Sequence, residues 1–277
     1  MKQRVLLAVG VLVAGLLSPL AAHAASEPLE YVALGDSSAA GPLILPQIDL
    51  PCTRSAANYP HVAAAKLGAR LTDVTCSGAA IPDFSGKQFG FVPPQYDALK
   101  PTTDLVTVAI GANDSGLFQA ALSCINLLPA PAGVSCKARY TAGGKDQLAA
   151  SIDATGPALG KALDRIHALA PNARILVTGY GTYLRPGGCF PQVPVWPVDG
   201  DYLQGTIDHL NRMIATQSAA HGATYVDLRT PSTGHDTCAP ESQRWLEGLI
   251  PGSDAAPLHP SRQGMAAFGT LVAAAAK

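Results

Sequence analysis

Residues 105–110, Leu-Val-Thr-Val-Ala-Ile, are apolar or β-branched at every position and end at Gly111. A strand with one wet face alternates apolar and polar side chains, whereas a run without alternation has both faces covered. Similar short runs recur at 31–34, 71–75, 174–178 and 224–227. Between them, helical periodicity occupies 60–67, 146–170, 202–220 and 261–276, with Ser261 placed to cap the last. Apolar strands separated by helices predict a five-stranded, mostly parallel sheet with helices on both faces. No repeat and no linker-like change of composition divides the chain, so residues 25–277 are read as one domain.

The start of the chain reads differently. Met1-Lys2-Gln3-Arg4 is basic, residues 5–17 are apolar, and Ala22-His23-Ala24 is a small-x-small site. That layout is a secretory signal peptide, cleaved after Ala24. The apolar stretch is interrupted by Ser18-Pro19 and falls short of the ~20 residues a membrane span needs, so no stable membrane anchor is expected. Removing Lys2 and Arg4 from the 19 basic residues leaves 17 against 20 acidic ones, a net charge of −3. Such a chain lacks the basic surface of a nucleic-acid binder.

Export makes the cysteines informative. Cys52, Cys76, Cys124, Cys136, Cys189 and Cys238 form an even set, which in an oxidising compartment predicts three disulfides. None shows C-x-x-C spacing, so a zinc site is not expected. Spacing alone leaves all connectivities open, with nearest-in-sequence pairing the simplest. Two long loops also stand out: residues 81–101, holding Phe84, Phe89 and Phe91, and residues 185–200, rich in Pro and Gly and holding Trp196. Loops of this length form the walls of a site or are pinned onto the body by their aromatic side chains.

Open α/β sheets bind ligands at the carboxyl ends of their strands. Those ends carry Gly35-Asp36-Ser37-Ser38, Cys76-Ser77-Gly78-Ala79 and Gly111-Ala112-Asn113-Asp114 here, and Pro257-Leu258-His259-Pro260 precedes the last helix. A serine hydroxyl becomes a nucleophile only when a positioned imidazole takes its proton. The tetrahedral intermediate then needs donors aimed at its oxyanion, which a serine N–H, a glycine N–H and an asparagine amide can supply. There is no G-x-S-x-G elbow, no phosphate-binding loop and no G-x-G-x-x-G after a strand. His61, His167, His209, His221 and His235 are scattered and read as surface or capping residues.

In order and placement these blocks resemble the SGNH (GDSL) hydrolases, over about residues 30–275. The resemblance implies Ser37 as nucleophile, His259 as general base, and Ser37 N–H, Gly78 N–H and the Asn113 side chain as the oxyanion hole. Within the family the chain is similar to secreted bacterial lipases and esterases, which implies the pairing Cys52–Cys76, Cys124–Cys136 and Cys189–Cys238. The family often has an Asp three residues before the His, where this chain has Ala256. Either Asp254 or a main-chain carbonyl at or near Ala256 is then expected to orient His259.

The reading is a secreted, monomeric serine esterase or lipase that needs no cofactor or metal. Its fold would be a three-layer α/β/α, flavodoxin-like SGNH hydrolase, and its partner an acyl ester or lipid substrate. The alternatives are a carbohydrate O-acetylesterase and a non-catalytic exported binding protein. An ester series separates the first, and labelling of Ser37 by a fluorophosphonate the second.

Overall fold

The structure is a computed structural model and describes residues 27–277. The expected signal peptide, residues 1–24, lies outside the described residues. In chain order the strands are β1 (Glu30–Gly35), β2 (Gln47–Asp49), β3 (Arg54–Ser55), β4 (Arg70–Asp73), β5 (Leu105–Ala109), β6 (Arg174–Thr178) and β7 (Thr224–Val226). The helices are α1 (Ser37–Ala40), α2 (Tyr59–Leu67), α3 (Leu117–Ser123), α4 (Cys136–Tyr140), α5 (Gln147–Leu169), α6 (Pro197–Ala220) and α7 (Arg262–Ala275).

Five strands form one sheet in the order β4-β1-β5-β6-β7, and every pairing in it is parallel. Its faces follow the period of two along each strand. Val32 and Leu34 of β1 and Val106 and Val108 of β5 pack with Ile152, Leu159 and Leu163 of α5 and with Leu210 of α6. Tyr31 and Ala33, with Leu105 and Ala109, face the opposite way and pack with Ala63 of α2 and Met265 and Phe268 of α7. All five residues of β5 are buried, as the missing alternation requires.

The chain leaves β1 toward β4 on one side and then crosses to β5 on the other. The boundary between β1 and β5 is therefore the switch point of the sheet, where loops diverge and leave a crevice. Ser37 follows β1 and Asn113 follows β5.

Several elements depart from the expected bounds. Helix α6 begins at Pro197 rather than near 202, because a proline at the first position of a helix leaves no hydrogen bond unmade. The short helices α3 and α4 and the antiparallel pair β2–β3 add structure where the sequence shows no strand or helix pattern. Phe84 is fully buried, whereas Phe89 and Phe91 are exposed, so loop 81–101 is pinned by one phenylalanine and shows two to solvent.

The disulfides join Cys52 to Cys76, Cys124 to Cys136 and Cys189 to Cys238, and no described cysteine is free. All three tie together loops at the carboxyl ends of the strands. No described helix is long and apolar enough to cross a membrane.

Candidate active site

Three main-chain and side-chain links hold the strand ends in register. Asp36 N–H donates to Ala109 O at 2.9 Å, Cys76 N–H to Gly35 O at 3.0 Å, and Asn113 Nδ2 to Ala79 O at 2.8 Å. The first link demands a close approach. A Cβ on Gly35 would lie 2.6 Å from Ala109 O, so only glycine fits where β1 meets β5.

Beyond Gly35 the chain turns at once into α1. Asp36 caps that helix, with Oδ1 accepting from Ser38 N–H at 2.8 Å and from Ser38 Oγ at 2.6 Å. Ser38 is thereby committed to the cap. Ser37 instead points its hydroxyl across to the loop before α7, where Nε2 of His259 lies 2.8 Å from Ser37 Oγ.

The other ring nitrogen, Nδ1, lies 2.7 Å from Pro257 O. A carbonyl only accepts, so Nδ1 carries the proton and Nε2 is left to accept from the serine hydroxyl. The tautomer needed for a general base follows from one main-chain group. Burial pulls the His259 pKa below its ordinary value, and the Pro257 contact opposes that shift. The ring is thus neutral and able to take a proton.

Of the two candidates, the ring is held by a main-chain carbonyl near Ala256 and not by Asp254. The Asp254 carboxylate accepts from Leu45 N–H at 3.0 Å and from Arg262 Nη2 at 2.7 Å. The Ala256 carbonyl accepts from the main-chain N–H of His259 at 3.2 Å, closing the turn that places the ring. The orienting carbonyl belongs to Pro257, one residue after Ala256, because that turn aims the next carbonyl at the imidazole.

Gly78 adopts a left-handed φ of 81°, which favours glycine in this turn. Among the described residues, the N–H groups of Ser37 and Gly78 have no hydrogen-bond acceptor. Asn113 uses one of its two amide hydrogens on Ala79 O, which fixes the side chain and leaves the other to give.

Behind this shell runs a second layer of polar residues. Tyr180 OH donates to Asp36 Oδ2 at 2.9 Å and accepts from Ala112 N–H at 3.1 Å, linking the two chain segments that carry Ser37 and Asn113. Asn211 holds the main chain of Tyr180 through both its N–H and its carbonyl, at 2.7 and 2.9 Å. Gln95 brackets Gly35 in the same way, at 2.8 and 3.0 Å. Burial raises the Asp36 pKa to about 6, and the donors from Ser38 and Tyr180 limit the rise. None of Tyr180, Asn211 and Gln95 was singled out from the sequence. Each is remote in the chain from the residue it supports, and no local spacing announces it.

A pocket opens beside Ser37, Asn113 and His259. Its walls are apolar, among them Leu117 and Phe118 of α3, Leu203 and Ile207 of α6, and Val195 and Leu258 from loops. Fold and site together define a carboxylic-ester hydrolase built on an open parallel sheet.

Comparison with known proteins agrees. The profile of the GDSL-like lipase/acylhydrolase family matches residues 33–267, and the chain belongs to that family. It is 42% identical to Lipase 2 of Streptomyces coelicolor over 270 residues, covering 93% of this chain and 90% of the relative. Among solved structures it is similar to phospholipase A1 from Streptomyces albidoflavus, with a TM-score of 0.73 and 28% identity over 90% of this chain and 99% of that one. The extracellular lipase from Streptomyces rimosus gives a TM-score of 0.72 at 28% identity, over 89% and 98% of the two chains.

Proposed function

We propose that the protein is a secreted lipase or esterase that hydrolyses acyl esters by a Ser37–His259 dyad. His259 Nε2 takes the hydroxyl proton as Ser37 Oγ attacks the ester carbonyl carbon. The oxyanion is met by the N–H groups of Ser37 and Gly78 and by the Asn113 amide. The imidazolium returns its proton to the leaving alcohol, which leaves an acyl-serine. Water then attacks that acyl group with His259 again as base, releasing the acid.

During both steps the positive ring rests against the Pro257 carbonyl dipole rather than a carboxylate. Export is supported by the signal-peptide layout of residues 1–24 and by three disulfides, which persist in oxidising compartments.

The single observation that carries the acyl-ester reading is the apolar pocket opening directly on Ser37. An acetylated sugar would place hydroxyls against those walls, and their desolvation would go uncompensated. The test is a series of soluble esters of increasing acyl length, with an acetylated sugar included. kcat/KM is expected to climb by up to about fourfold per methylene until the pocket is filled. A preference for the acetylated sugar over every longer acyl ester would overturn the reading.

A further inference from the structure

Large apolar side chains exposed to water are distributed very unevenly over this molecule. Among the described residues, all of them lie on the stretches that leave the carboxyl ends of the sheet strands, in loops, in the short elements β2 and α3, or in the first turn of α6. They fall at 43–50 after β1, at 89 and 91 after β4, at 122–134 after β5, at 198 after β6 and at 250 after β7. The connections at the opposite end of the sheet carry none among the described residues. Leu50 at 75%, Phe91 at 63%, Leu127 at 81% and Ile250 at 80% are the barest on their four segments.

These groups sit around the pocket mouth. Ile250 follows Leu249, which lines the pocket, and Leu122 follows Ala121, which also does. The segment bearing Leu127 and Leu128 is held to the pocket loop by Trp196 Nε1, which donates to Leu128 O at 2.8 Å, and by the bridge of Ile125 with Val195. The 43–50 segment is bound to the His259 loop through Ala256 N–H to Pro42 O at 3.1 Å. A Cβ built on Gly78 would lie 4.0 Å from the Phe89 ring.

We propose that this face docks on an uncharged lipid–water interface and receives its substrate from it. The proposal rests on the acyl-ester reading above and names the surface that presents the ester. Exposed apolar patches mark sites of contact with proteins or membranes. Here the apolar groups stand on five separate strand-end segments around an opening that must stay clear for substrate. A lipid surface meets scattered side chains equally well and supplies the substrate at the centre of the ring.

The charge balance favours a neutral surface over an anionic one: without Lys2 and Arg4 the chain carries 17 basic against 20 acidic residues, although Lys87, Lys137, Arg139 and Lys145 on this side have no carboxylate partner among the described residues. Arg54, Arg185 and Arg262 on this side are ion-paired with Asp49, Asp236 and Asp254 from the same side. Anionic headgroups would have to compete with those carboxylates.

The experiment uses the Ser37→Ala protein, which leaves vesicles intact, in co-sedimentation with phosphatidylcholine vesicles. The protein is expected to pellet with them, and raising the salt concentration should leave the bound fraction unchanged. Adding Leu50→Gln, Phe91→Gln, Leu127→Gln and Ile250→Gln should weaken partitioning by about tenfold or more.

With Ser37 intact, the same four changes should spare hydrolysis of a monomeric short-chain ester and depress hydrolysis of vesicle lipid by a similar factor. Equal partitioning of the parent and fourfold variants would overturn the proposal. So would failure of the Ser37→Ala protein to pellet, binding only to anionic vesicles, or equal loss of activity on the soluble ester. If the Ser37→Ala protein pellets while the Ser37 protein cleaves no ester, the docking surface stands and the hydrolase reading fails.

Discussion

At Nδ1 of His259 the acceptor is the Pro257 carbonyl, so in the proposed mechanism the imidazolium gains a dipole and no opposing charge. Asp254 meanwhile is held by the Leu45 N–H and by Arg262, whose combined pull outweighs its desolvation and keeps its pKa below the ordinary carboxylate value. Its hydrogen bonds go to Leu45 and Arg262, not to the ring. Asp254→Asn is expected to lower kcat less than about tenfold, while His259→Ala costs several orders of magnitude.

The pH profile gives the sign. A general base must be neutral, so activity falls as pH drops through the His259 pKa. Burial places that pKa below the ordinary histidine value of 6.5, so the acidic limb of kcat/KM should lie below it too. Asp254→Asn should leave that limb in place. A thousandfold loss of kcat in a folded Asp254→Asn protein would put the carboxylate in a triad.

Among elements, α1 is only four residues long and has no strength of its own, so its position depends on Asp36 and on what holds Asp36. Tyr180 does that from 144 residues away while also holding Ala112 beside Asn113. Tyr180→Phe removes both links and leaves a buried carboxylate one donor short. It should destabilise the fold by about 1–3 kcal/mol. It should also lower kcat more than it raises KM, because the donors must be aligned in the transition state. Denaturant unfolding and steady-state kinetics on a soluble ester measure the two. Loss of stability with kcat intact would make Tyr180 a packing residue only.

The same contrast explains which elements the sequence announces. Strands β1, β5 and β6 and the long helices α5 and α7 were legible, because two-sided burial and helical periodicity are local patterns repeated over several residues; the edge strands β4 and β7 were legible from their short apolar and β-branched runs, although they are largely unburied. Helices α3 and α4 and the pair β2–β3 are five to seven residues or shorter and are held by their neighbours and by disulfides. Their sequences carry too few turns of either period to register.

In the site, Ser37, Asn113 and His259 were legible as polar residues at strand ends or before a helix, and the structure brings Ser37 and His259 together. The orienting carbonyl, expected at or near Ala256, is that of Pro257. Tyr180, Asn211 and Gln95 were invisible, because a hydrogen bond across 31 to 144 residues leaves no spacing to read.

At the scale of the whole molecule, the topology places the switch point of the sheet between β1 and β5, and the three disulfides hold loops around it. Their chain separations are 24, 12 and 49 residues for Cys52–Cys76, Cys124–Cys136 and Cys189–Cys238. Loop-closure entropy then assigns about 3 kcal/mol to the shortest loop and about 4 kcal/mol to the longest. The paired change Cys189→Ser with Cys238→Ser should therefore lower the urea midpoint more than Cys124→Ser with Cys136→Ser. The reverse order would mean that native contacts within the loops, rather than chain closure, set their contribution.

The central claim is that Ser37, activated by His259, is the nucleophile. A fluorophosphonate forms a stable adduct only with a hydroxyl whose proton is being removed, and its phosphoryl oxygen occupies the oxyanion position. Peptide mapping by mass spectrometry after such treatment tests the claim most directly. One adduct per chain on Ser37, with labelling slowed by orders of magnitude in His259→Ala, is the predicted result. An adduct on Ser38 or on any other residue, or an unlabelled chain that still hydrolyses esters, would contradict it.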